Sequence, residues 1–135
     1  MGTRRKAREY ALQMLFQWDI TRDSIEQIAG TFWEDQDQPA AVVDFARLLV
    51  TRTIDHVEEI DALIQRHAEN WRLDRMAIVD RNLLRMAVQE FMYGRETPKA
   101  VVMNEAIEIA RRYSSQESPP FINGILDSIK RELES

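Results

Sequence analysis

Apolar residues recur every three or four positions along almost the whole chain, the spacing that puts them on one face of an α-helix. Ala7, Tyr10, Ala11, Met14, Leu15 and Trp18 form the stripe of a first helix that ends before residues 21–23. Ser24 followed by Gln27 has capping-box spacing and opens a short second helix with Ile25, Ile28, Ala29, Phe32 and Trp33 inward. After a polar break at residues 35–38, Pro39 suits the first position of a long third helix, whose period runs from Val42 through Val50 and Val57 to Ile64. The pattern relaxes around residues 70–73 and resumes with Met76, Val79, Leu83, Met86, Ala87 and Phe91, stopping at Gly94, which suits a C′ position. Thr97 is expected to cap a further helix with Pro98 at its first position, carrying Val101, Val102, Ala106, Ile109, Ala110 and Tyr113. A loop over residues 114–120 leads to a last helix that starts near residues 118–120 and buries Phe121, Ile122, Ile125, Leu126, Ile129 and Leu133. The fold class is all-α, and the short connections make successive helices neighbours.

Asn123-Gly124 breaks a local rule, because this pair favours a hairpin turn and here lies inside a helical apolar run. Glycine in a helix interior costs about 1 kcal/mol relative to alanine, so close approach of another helix or a ligand to Gly124 is expected.

With 135 residues the chain matches one domain, residues 1–135, and four glycines with four prolines leave little punctuation for a many-stranded sheet. Zero cysteines exclude disulfides, thiolate metal sites and a cysteine nucleophile. The apolar runs are shorter than the ~20 residues a bilayer span needs and no signal-peptide core is evident, so the expected location is cytoplasmic.

The net charge of −5 argues against a polyanion partner until its distribution is read. Residues 1–8 hold Arg4, Arg5, Lys6 and Arg8 with no acid, while the remainder carries 14 basic and 23 acidic residues. A basic arm on an acidic body attracts a polyanion at one place and repels it elsewhere. Aromatics close to the arm add a means of stacking unpaired bases, and Phe16, displaced from the buried stripe, is the one placed for exposure.

Catalytic signatures are missing. His56 and His67 lie eleven residues apart with no second imidazole at chelating spacing, so no metal site is expected. The scattered glycines form no phosphate-cradling loop, and no serine sits in a nucleophile elbow. No cofactor is implied, and a non-enzyme is the expectation.

Four blocks carry a resemblance that covers nearly the whole chain in order. These are Arg5-Lys6-Ala7-Arg8-Glu9 with Ala11, Leu15 and Phe16; residues 79–87 with Glu90; Pro98 with Asn104-Glu105-Ala106 and Glu108-Ile109-Ala110; and Ser118 with residues 121–127. Together they resemble the NusB family of bacterial transcription antitermination factors. The resemblance implies two small helical bundles packed as one domain, and a protein that binds boxA RNA of nascent ribosomal RNA transcripts together with NusE, a small-subunit ribosomal protein. It further implies assembly with other Nus factors and RNA polymerase, and leaves a homodimer open.

Carried over residue by residue, the implied RNA contacts are Arg4, Arg5, Lys6, Arg8, Phe16, Glu117, Ser118 and Phe121, and the implied NusE-facing acid is Asp80. Pro119-Pro120 departs from the polar or basic residue often found before that phenylalanine in the family. Two other readings stay open: a helical protein adaptor with an incidental basic arm, and a domain related to the RNA-binding part of a ribosomal RNA cytosine methyltransferase. The RNA reading requires folding to bring the basic start and the beginning of the last helix onto one side, with the phenyl rings accessible.

Overall fold

The basic residues expected as an arm are already helical. In the computed structural model, which describes residues 2–135 and so leaves residue 1 of that arm outside, α1 spans Gly2–Thr21. It is followed by α2 (Ile25–Phe32), α3 (Ala40–Asp55), α4 (Val57–His67), a 3-10 turn (Leu73–Arg75), α5 (Ile78–Tyr93), α6 (Lys99–Tyr113) and α7 (Ser118–Glu134). The Ser24 capping box forms as read: its hydroxyl accepts from the Gln27 amide at 3.2 Å and the Gln27 side chain accepts from the Ser24 amide at 3.0 Å.

Three local expectations need correction. The long third helix is broken at His56, whose φ of −119° and ψ of 22° end α3 and start α4. Its ring stacks on Tyr93 with centroids 4.2 Å apart, and the Tyr93 hydroxyl donates to Glu59 at 2.6 Å, so the bend is held against the end of α5. Pro39 and Pro98 stand just outside their helices as N-caps, with ψ near 145°, and Thr97 makes no capping bond. Each proline carbonyl instead accepts from the amides three and four residues on. Gly124 meets no neighbour within 4 Å, so the close approach expected there is absent among the described residues. Gly94 is the glycine that space requires: a Cβ would lie 3.1 Å from the Glu90 carbonyl and 3.2 Å from an Arg52 nitrogen.

Helices α1–α3 form one bundle and α4–α7 a second, joined by packing of α5 on both α1 and α3. A stripe alone underestimates α5. Every residue from Asn82 to Phe91 is buried, including Asn82, Arg85, Gln89 and Glu90, and buried polar groups persist only when partnered. Their partners come from the other elements. Glu90 accepts both arms of Arg8 from α1 at 2.8 Å, Gln89 accepts from Arg52 of α3 at 2.9 Å, and Arg85 is bidentate to Asp61 of α4 at 2.8 and 2.9 Å. At the far end of the antiparallel α1–α5 seam, Asp19 accepts from Arg81 at 2.7 Å, Asn82 at 2.9 Å and Arg85 at 3.1 Å. One continuous apolar core, with Leu15, Leu49, Ile64, Leu84, Ile109 and Leu126 fully enclosed, fills both bundles.

Candidate nucleic-acid interface

Helical geometry distributes the four cations of the first two turns of α1 around the helix, giving each a different environment. Arg4 is exposed with its guanidinium 3.9 Å from the Phe45 ring centroid, and Lys6 is exposed beside Tyr10. Arg5 reaches α6 and donates twice to Glu105, at 2.9 and 2.7 Å, with 28% of its side chain open to solvent. Arg8 turns inward. Its side chain is 5% exposed and its guanidinium is spent on Glu90, so it braces the two bundles and offers no free face to a phosphate. Both arginines are held above the usual guanidinium range: Arg5 chiefly by its hydrogen bonds to Glu105, Arg8 despite burial, which opposes charge, through its hydrogen bonds and attraction to Glu90. Reciprocally, donation from Arg5 holds the Glu105 carboxyl below its ordinary value against partial burial.

Further along α1, buried Glu9 accepts from Arg112 of α6 at 2.9 Å, tying together two helices that both pack on α5. Phe16 is 37% exposed and lines a shallow cleft of about 220 Å³ with Leu12, Val79 and Tyr113, the last 45% exposed. Where α6 ends, Ser114 donates to Asp80 at 2.6 Å and Ser118 donates to the other carboxylate oxygen at 2.9 Å. Asp80 is therefore a buried staple between the first turn of α5 and the α6–α7 joint, and the Ser118 hydroxyl faces inward. Glu117 is exposed at the joint, and Phe121, half-buried one turn into α7, meets Trp71 edge to face with centroids 5.7 Å apart. Pro119 and Pro120 occupy the first turn of α7, where no intrahelical amide is needed.

The basic turn of α1, the exposed edge of α6 and the start of α7 thus follow one another on one side of the molecule, bridged by Arg5–Glu105, Arg112–Glu9 and Asp80–Ser114–Ser118. Sequence reading missed three groups on this side. Trp71 and Arg75 sit where periodicity lapses, and Tyr113 fits the apolar stripe yet stands open. Among the described residues no group of His, Asp or Glu is arranged to hold a metal ion, and no helix is long and apolar enough to cross a membrane. His67 is occupied by Ser128 at 2.7 Å and Glu132 at 2.6 Å, joining α4 to α7.

Comparison with known proteins agrees with this architecture. A transcription antitermination protein NusB from Koribacter versatilis is 56% identical over 135 residues, covering 99% of this chain and 92% of its own. The solved NusB of T. maritima superposes with a TM-score of 0.86 at 38% identity, covering 96% of this chain and 91% of that one. A chain from the crystal structure of antitermination factors NusB and NusE in complex with double-stranded RNA superposes with a TM-score of 0.88 at 26% identity, covering 98% of each. The NusB family profile itself matches residues 5–131, and on these likenesses the chain belongs to the NusB family.

Proposed function

We propose that this chain is an RNA-binding transcription antitermination factor that engages boxA RNA of nascent ribosomal RNA transcripts together with NusE, and in that pairing joins other Nus factors and RNA polymerase. The observation that carries the reading is the continuous side running from Arg5 along α6 to Phe121, where cations, open aromatics and an exposed acid alternate on an otherwise acidic protein. The solved relative in complex with NusE and RNA supports both partners, and family membership places the chain among transcription factors and outside the enzymes.

In this reading Arg4, Arg5 and Lys6 attract phosphates, Phe16 and Phe121 stack bases, and Glu117 accepts from base edges. Arg8, Ser118 and Asp80 act from beneath. Arg8 fixes the roll of α1, and Asp80 with Ser118 fixes where α7 begins, so their effect on RNA or NusE is one of positioning.

The test is a titration of labelled boxA and a scrambled control with the protein alone and with NusE, at two salt concentrations. Co-recognition requires RNA and NusE each to tighten the other by the same factor, with affinity falling as salt rises. Equal affinity for both RNAs and no linkage to NusE would leave only the adaptor reading.

A further inference from the structure

Trp71 is 58% exposed, an unusual position for the largest side chain in a protein that buries Trp18 almost completely. The loop that carries it is nevertheless fixed. The Trp71 amide donates to the Ala68 carbonyl at 3.0 Å, its carbonyl accepts from Gln65 at 2.8 Å, and the Gln65 side-chain oxygen accepts from the Leu73 amide at 2.8 Å. A side chain of α4 therefore laces the loop on both sides of the indole. Phe121 meets the indole nearly perpendicularly, at 81°, and the two rings wall a cleft of about 360 Å³ floored by buried Met76.

Two charged groups at this cleft distinguish among occupants. Arg75 and Glu117 both line it, both are exposed, and neither makes an ion pair among the described residues. An apolar peptide side chain uses neither. A nucleotide uses both, because its phosphate takes a cation and its base edge supplies N–H donors to a carboxylate, while its π-face fits an open aromatic. The buried Asp80 at the back is already satisfied by two serine hydroxyls and claims no ligand.

We propose that Trp71 and Phe121 are the two walls of a nucleobase clamp, in which one unpaired base of the bound RNA stacks on the indole with Glu117 at its edge and Arg75 at its phosphate. This rests on the RNA-binding reading above and adds to it a residue outside the four blocks that carry the family resemblance. Because the side chain is largely solvent-exposed and its loop is held by backbone and Gln65 contacts, Trp71→Ala leaves the fold intact.

The test uses the full chain with NusE and boxA RNA, comparing wild type, Trp71→Ala and Trp71→Phe. Loss of one stacked base predicts that Trp71→Ala weakens RNA binding about 5- to 150-fold, while Trp71→Phe retains most affinity and NusE binding without RNA is unchanged. RNA should also quench tryptophan fluorescence in wild type and much less in Trp71→Phe, since Trp18 is buried and Trp33 is partly buried against Tyr10 and Phe32. Undiminished RNA affinity of Trp71→Ala with no quenching overturns the clamp and leaves RNA binding standing. A loss confined to NusE affinity also overturns it, making the cleft a protein-docking surface. Absence of RNA binding by the wild-type complex removes the underlying reading and the clamp with it.

Discussion

Arg5 and Arg8 stand three residues apart on one helix, and each grips a glutamate through two hydrogen bonds of nearly equal length, yet they do different work. Arg8–Glu90 is sealed between the bundles, where water cannot replace a lost partner; Arg5–Glu105 lies at the rim, where it can. Burial, not bond geometry, therefore separates a brace from a contact that a ligand can compete for. An RNA phosphate reaching Arg5 exchanges one anion for another at modest cost, whereas drawing Arg8 outward would strand Glu90 in the core.

The largest expected effect follows from breaking the sealed member. Arg8→Ala leaves an uncompensated buried carboxylate and should cost about 3–5 kcal/mol, read as a fall in the denaturation midpoint. A loss below 1 kcal/mol would show that water enters the seam and that the contrast with Arg5 is false. At the other end of that seam, burial works to raise the Asp19 pKa, but hydrogen bonds from Arg81 and Asn82 with the charges of Arg85 and Arg81 prevail and hold it low. The unfolded chain then binds the proton first on acidification. This contribution to stability is full above the ordinary aspartate range of about 4 and is lost as pH falls through the lowered folded value. Thermal melts across that range should show a steep acid limb for wild type and a flatter one for Asp19→Asn.

Arg5→Ala sharpens the comparison from the exposed side. Stability should change by less than about 1 kcal/mol, while the slope of log affinity for RNA against log salt flattens by about 0.7, one phosphate contact on a single strand. An unchanged slope would take Arg5 out of the interface. Phe16→Ala should likewise lower RNA affinity more than melting temperature; a melting loss comparable to truncating buried Leu15, about 2–5 kcal/mol, would assign the ring to the core. The smallest effect is expected at Gly124, which has open space around it. Gly124→Ala should stabilise the protein by up to about 1 kcal/mol, and lower RNA affinity with raised stability would show that a ligand, not a helix, approaches that backbone.

Much of the helical frame was legible because the apolar period records which face of each helix turns inward. The break at His56 escaped notice because one non-helical residue barely shifts that period, and the ring that packs against the bend, Tyr93, is far away in sequence. Enclosure of α5 on all sides was equally hidden: Arg85 and Gln89 lie off the apolar stripe and Glu90 is a charge within it, and only Asp61, Arg52 and Arg8, arriving from other helices, account for their burial. The same limit applies at the interface. Four neighbouring cations look alike in a string of letters, and only the position of Glu90 and Glu105 distinguishes them. Trp71 left no trace in the pattern because its placement depends on Gln65 reaching across a loop that has no period.

The Arg8–Glu90 pair joins groups 82 positions apart in the chain. During synthesis, the first three helices leave the ribosome carrying a cation whose counter-ion has not yet been made, so the face that meets α5 stays open to water. Sealing of that face must await emergence of α5, and stalling translation before and after that helix should separate a protease-sensitive nascent chain from a resistant one.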